Sequence, residues 1–193
     1  MPTPMWRFRE KQRAEVHQDP ANTEFFAQQD VAERLVREAA QNTIDATREG
    51  TTARLVLTLT SVTSKEWEGY FASLWPHLEA QPELRESLPS RDDTIPCLLV
   101  EDFGTTGLTG PLEPEDRNAA EQDEKAHRLF WFFKNVGRTS KTGDQLGSFG
   151  IGKTVFPYSS QINSFFGYSV RAQPGDDHPI VLLGQSQLRE HRL

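Results

Sequence analysis

The sequence predicts a domain of mixed helices and strands. Three observations predict it. A helical period starts at Asp30, a β-branched alternating run at residues 54–60 is answered by an apolar run at 95–100, and two further strand-like runs lie at 162–171 and 180–184. The chain of 193 residues is long enough to bury one core of ordinary size. Hydrophobic content of 36% and a mean hydropathy of −0.62 make that core modest and leave much solvated loop.

The formal charge of −7 removes the basic field that gripping nucleic acid through this segment would need, without excluding DNA contacts by regions outside the chain. Cys97 is the single cysteine and lies inside the apolar run, so it reads as a small core residue, and no disulfide or cysteine zinc site can form within the chain. The first 18 residues lack the apolar stretch of a signal peptide, and no segment reaches transmembrane length. A cytoplasmic location with no membrane partner is the resulting expectation.

Residues 1–25 are expected to form an N-terminal arm, in which Trp6 and Phe8 are interleaved with Arg7, Arg9, Lys11 and Arg13, and residues 26–193 the domain. In the first helix Asp30 stands as N-cap with Glu33 three residues on, and the period runs to about Arg48 before Gly50. Ala32, Val36, Ala39, Ala40 and Thr43 are expected to face a sheet, with Arg34, Arg37, Gln41 and Arg48 in water. Glu38, Asn42 and Asp45 recur at i, i+4 and i+7 along the margin between the two. There they are either ordinary polar flanks or a pocket wall, with a carboxylate that can orient water and an amide oxygen that can hold a hard cation.

Residues 65–90 carry apolar side chains at helical spacing around Trp67, Phe71, Leu74 and Leu78 and read as an inserted helical layer without evident chemistry. The run at 95–100 reads as a central strand and delivers Glu101-Asp102-Phe103-Gly104-Thr105-Thr106-Gly107 at its end. A plain turn explains those glycines but not an acid at the end of a buried strand. Residues 113–124 form an acidic loop leading to an aromatic helix at 126–136, which reads as core.

Gly147-Ser148-Phe149-Gly150-Ile151-Gly152-Lys153-Thr154 satisfies two phosphate-binding patterns. As G-x-x-x-x-G-K-[ST] it is a P-loop. As G-x-x-G-x-G it is a hinged glycine loop entering a helix whose N-terminus can hold an anion, and a loop without ligand is the bland alternative. Its flanks do not suit a P-loop: residues 137–145 are polar rather than a buried strand, and Pro157 interrupts the helix three residues after Thr154.

Taken together in this order, Glu38-Ala39-Ala40-Gln41-Asn42-Thr43-Ile44-Asp45-Ala46, Asp102-Phe103-Gly104-Thr105-Thr106-Gly107 and Gly147-Ser148-Phe149-Gly150-Ile151-Gly152 resemble the N-box, the D-x-G-x-G motif and the G-x-x-G-x-G lid motif of the GHKL ATPase superfamily. That superfamily holds gyrase B, the ninety-kilodalton heat-shock chaperones, MutL and MORC proteins and histidine kinases. Thr139-Ser140-Lys141 is similar to the segment leading into the lid in MutL and MORC proteins, and the pairing of Glu38 with Asp45 resembles that branch rather than the kinases. None of the five histidines, His17, His77, His127, His178 and His191, stands in the setting of a phosphoacceptor helix.

The resemblance implies an α+β fold, a two-layer sandwich with a mixed, mostly antiparallel sheet and helices on one face, the Bergerat fold. It implies ATP and Mg²⁺ as ligands. Asp102 would accept the adenine amino group, Asn42 would coordinate Mg²⁺, Glu38 would activate the attacking water, and Asp45, Gly104, Gly107, Gly147, Gly150 and Gly152 would line the nucleotide. Lys141, Lys153 and Thr154 would contact phosphates. It further implies an ATPase whose lid closes over the nucleotide, dimerisation on closure, and a client protein or DNA met through other regions. The second motif departs from the pattern by an extra threonine between its glycines, and the lid runs on into Lys153-Thr154. The following transducer domain of the family is not represented, so the chain reads as the N-terminal part of something longer. Nucleotide sensing without hydrolysis is the alternative function.

Overall fold

A computed structural model describes residues 5–8, 10, 30–90, 93–114, 116, 118, 123, 125–133, 155–171 and 179–193. Its elements follow the order α1 (Val31–Asp45), β1 (Arg54–Val62), α2 (Ser64–Phe71), α3 (Trp75–Glu79), α4 (Pro82–Arg85), β2 (Ile95–Phe103), α5 (Arg128–Phe133), α6 (Val155–Tyr158), β3 (Ser164–Val170) and β4 (Ile180–Ser186). The fold is α+β, with antiparallel strand pairing.

The Asp30 carboxylate starts α1 by accepting the N–H groups of Ala32 and Glu33 at 3.0 and 3.1 Å, which satisfies two donors that the helix itself cannot. The helix ends at Asp45, three residues before the expected Arg48, because the chain at Thr47 leaves it to form an antiparallel bridge with Thr105. Gly50 still takes the left-handed conformation, φ +72°, in the turn that follows. The packing face also differs from the expected one. Arg34, Leu35, Ala39 and Thr43 are buried, whereas Ala32 is exposed and Val36 is 46% exposed. The covered face is thus rotated by roughly a quarter turn, toward the large side chain of Leu35. An arginine can lie on such a face because its aliphatic stem packs while its head finds polar partners.

β1 and β2 pair antiparallel from Arg54↔Phe103 to Val62↔Ile95. Residues 63–94 therefore replace the turn of a hairpin, and their helices α2, α3 and α4 sit at its closed end. Trp67, Leu74, Trp75, Leu78 and Leu84 form the main apolar cluster there, with Val62, Ile95, Phe71, Leu88, Ile162 and Leu188 packed against it. The inserted helices are expected as a layer, and among the described residues they also supply the larger of two buried apolar clusters. The arm joins them: the Trp6 N–H donates to Ser73 Oγ at 2.9 Å, its indole N–H donates to the Tyr70 carbonyl at 2.7 Å, and its ring meets Phe166 edge-on at 5.4 Å.

β3 and β4 form the second antiparallel pair, from Ser164↔Ser186 to Val170↔Ile180, and the turn expected at residues 174–177 lies outside the described residues. Among the described residues the strands make two two-stranded sheets rather than one sheet of four. Among these residues β2 has a single neighbour rather than the expected central place, and Leu98 and Leu99 are 42% and 45% exposed. α5 places Leu129, Phe130, Trp131 and Phe133 in the interior, as core rather than a stacking platform. Phe133 stacks on Phe165 of β3 with ring centroids 5.9 Å apart, and a side chain at Gly167 would run into the Phe133 ring. No helix among the described residues is long and apolar enough to cross a membrane.

The cap gives a test of α1. Replacing Asp30 by Ala should cost about 1 kcal/mol in urea unfolding, and an unchanged midpoint would mean that the helix start is held elsewhere.

Candidate functional site

The site is built where the end of α1 meets the loop that leaves β2. Asp102 is the penultimate residue of β2, opposite Leu55 in register, and Gly104 to Gly107 turn away from the strand. Two main-chain hydrogen bonds fasten this loop to the residues after α1: Arg48 N–H donates to the Gly104 carbonyl at 3.0 Å, and Thr106 N–H donates to the Ala46 carbonyl at 2.9 Å. Thr51 Oγ adds a third bond to the same Gly104 carbonyl at 2.8 Å. The residues that follow the helix carrying Glu38, Asn42 and Asp45 are thereby tied to the loop that follows Asp102, a segment distant in sequence.

Both glycines of the loop do work that other residues could not. Gly104 has φ +74°, and a Cβ there would collide with the Thr52 carbonyl oxygen. Gly107 has φ +70°, and its Cβ would stand 2.5 Å from the Val170 carbonyl oxygen. Next to it, Leu108 N–H donates to Ser169 Oγ at 2.8 Å, so the loop is pressed onto β3. Further on, Thr109 is fully buried, its hydroxyl donating to the Lys125 carbonyl at 2.7 Å and its carbonyl accepting from Leu129 N–H at 2.9 Å. The Arg171 guanidinium donates to the Gly110 carbonyl at 2.7 Å. The loop is clamped between the end of α1, the edge of β3 and the start of α5.

On α1 the rotated packing face brings Glu38 and Asn42 to half-buried positions one turn apart, and Asp45 to the exposed end of the same row. The Asp45 carboxylate accepts from Gln41 Nε2 at 2.9 Å, and its main-chain carbonyl accepts from Arg128 Nη2 at 2.7 Å. Arg128 is a residue that sequence reasoning did not single out. Its cation sits on a C-terminal carbonyl of α1, where the helix end is partially negative, and nothing in the local pattern of residues 126–136 signals this long-range partner. On the other side, Thr105 Oγ donates to Asp102 Oδ1 at 3.2 Å. Asp102 keeps an exposed carboxylate, an acceptor for an amino group that comes from solvent.

Lys141, Gly147, Gly150, Gly152, Lys153 and Thr154 lie outside the described residues. The chain re-enters the described structure at Val155, which is 1% exposed at the start of α6, and α6 packs against α1 and β3. The residue after the glycine-rich stretch is therefore anchored beside the helix that carries Glu38 and Asn42. Among the described residues no cluster of three or more His, Cys, Asp or Glu side chains could hold a metal ion by itself. One amide or carboxylate oxygen completed by phosphates and water is instead the usual way in which protein binds Mg²⁺.

No protein-family model, curated protein or solved structure matches the chain.

Two glycines separate backbone conformation from crowding. Gly50 and Gly104 share a positive φ, but a Cβ at Gly50 meets nothing within 4 Å. Gly50→Ala should cost about 1 kcal/mol and Gly104→Ala clearly more, about 2 kcal/mol or above. Equal losses in chemical denaturation would show that the loop does not press on Thr52.

Proposed function

We propose that this chain is an ATP-binding domain of the GHKL type that hydrolyses ATP with Mg²⁺ and acts as a lid-closing conformational switch for a larger protein. The observation that carries the proposal is the main-chain junction between residues 46–48 and 104–106, which sets the end of the Glu38–Asn42–Asp45 row beside the acid-bearing end of β2. A domain of this type would complete its α+β arrangement as a two-layer Bergerat sandwich, with helices over one face of a single sheet.

In this reading Asp102 selects adenine by accepting a hydrogen bond from its amino group, which a carboxylate does well because it is acceptor-only when ionised. Asn42 supplies a hard oxygen donor on a half-buried turn, which suits Mg²⁺, and the ion would neutralise charge on the phosphates as the terminal phosphoryl group departs. Glu38, one helical turn before Asn42, orients and deprotonates the attacking water. Gly104 and Gly107 let the backbone approach the base, Asp45 lies at the rim, and Gly147, Gly150 and Gly152 with Lys141, Lys153 and Thr154 enclose the phosphates. Catalysis is then positioning and charge stabilisation, completed when the lid closes. Closure would favour a homodimer, and the client protein or DNA would be met outside this chain, in the cytoplasm.

A P-loop enzyme is the weaker reading. Among the described residues α6 ends at Tyr158, only four residues after Thr154, which leaves little of the helix that carries a P-loop's dipole toward its phosphates, and β2 pairs antiparallel.

Titration calorimetry of the chain with Mg·ATP separates these readings. Asp102→Asn should weaken ATP at least about tenfold, and Glu38→Ala should retain binding while phosphate release stops. Binding that survives Asp102→Asn but vanishes in Lys153→Ala would identify a P-loop instead, and wild-type binding without turnover would identify a sensor.

A further inference from the structure

Away from this site, two histidines join three separate parts of the chain. His77 of α3 and His191 of the C-terminal segment approach with Nδ1 and Nε2 2.8 Å apart. Gln81, 1% exposed, holds the same segment by its main chain: Arg189 N–H donates to Gln81 Oε1 at 2.9 Å, and Gln81 Nε2 donates to the Arg189 carbonyl at 3.0 Å. From the other side Phe8 of the arm stacks on His77, with ring centroids 3.8 Å apart. We propose that His77 and His191 form a proton-operated clasp that fastens residues 187–193 to the inserted helices near neutral pH and loosens on acidification. This device is independent of nucleotide binding.

The hydrogen-bond inventory explains why a proton matters. Arg189 N–H can donate only to oxygen, so the Gln81 amide is oriented with its oxygen toward Arg189 N and its nitrogen toward His191 Nδ1, 2.8 Å away. That nitrogen is a donor, and the neutral network closes when His191 Nδ1 accepts from Gln81 while His191 Nε2–H donates to His77 Nδ1. A proton arriving on His77 Nδ1 turns the second bond round, and His191 must then carry its own proton on Nδ1. There it faces the Gln81 amide donor, and it competes with Gln81 for the Arg189 carbonyl, which also lies 2.8 Å from Nδ1. A second proton abolishes the bond between the imidazoles and leaves two cations in contact. A protonated His77 would gain a cation–π attraction to the stacked Phe8 ring, which offsets part of the lost Gln81 bond.

Among the described residues, these charged groups lie on the surrounding elements. Glu83 of α4 pairs with Arg189 Nε at 2.8 Å, Arg85 donates to the Glu79 carbonyl, and the Glu79 carboxylate accepts the Trp75 indole N–H. Glu190 and Arg192 lie on the segment itself, and Arg7 and Glu10 on the arm. Burial first, and the neighbouring His191 second, hold the His77 imidazole below its ordinary value of 6.5. The sign follows: the open form binds protons that the closed form refuses, so the clasp is complete above 6.5 and is lost as pH falls below it.

Hydrogen exchange of the full chain, with rates corrected to protection factors, tests the clasp. Between about pH 7.5 and about pH 5.5 the segment 187–193 should lose protection about tenfold while α1 keeps its own, and His77→Phe, which can still stack on Phe8, should remove that pH step. The same loss in His77→Phe, or no loss in the wild type, overturns the proposal. Should His77→Phe fail to fold, nitrogen-resolved titration of the wild-type imidazoles decides. The His77 imidazole must titrate below the value of a free histidine, and His77 behaving as a free imidazole overturns the proposal.

Discussion

The short antiparallel junction at Thr47 and Thr105 is the constraint on which the rest of the site depends. It consists of main-chain hydrogen bonds, so it is insensitive to most side-chain changes, yet it demands a left-handed residue at position 104 and open space above Thr52. Those demands account for Gly104 and for the early end of α1. An N-terminal cap at Asp30 starts the helix and a backbone partner from the loop after β2 ends it, so the row of Glu38, Asn42 and Asp45 has a defined length and a fixed neighbour. Arg128 completes the junction from a third direction by taking the Asp45 carbonyl.

Around this junction the fold is a hairpin whose turn has been replaced by helices. The pairing of Val62 with Ile95 brings the ends of the insert together, and Trp67, Trp75, Leu74 and Leu78 give the insert a core of its own. That core also receives Trp6 and Phe8 from the arm and Leu188 from the last segment, so both flanks of the chain converge on the insert, at the closed end of β1 and β2. The site stands at the open end of the same strands. This division lets the hairpin carry the acid at one end and its anchorage at the other, and it leaves the clasp of His77 and His191 far along the strands from Asp102.

Much of this was legible in the sequence because local rules govern it. Asp30 announces a cap, the alternation at 54–60 announces a strand, and the spacing of Trp67, Phe71, Leu74 and Leu78 announces packed helices. Gly104 and Gly107 were legible as ligand-approaching or turning residues, and both do adopt positive φ. What was misread depends on partners remote in sequence. Ala32 and Ala40 suggest a face about a quarter turn from the covered one, which keeps Ala39 and Thr43 but follows Leu35, the residue with most apolar surface to hide. Gly50 suggested a helix to Arg48, but a bridge to Thr105 intervenes. β2 reads as central because its residues are apolar in succession, while it pairs only with β1 among the described residues. Arg128 and the histidine pair carry no local signal at all.

The proposal stands on convergence of three segments around one nucleotide, and hydrogen exchange with and without Mg·ATP measures that convergence directly. Residues 38–48, 101–107 and 145–156 should gain protection together, while the inserted helices at 64–90 remain unchanged. Protection gained by 145–156 alone, with the junction at 46–48 and 104–106 indifferent to nucleotide, would contradict it.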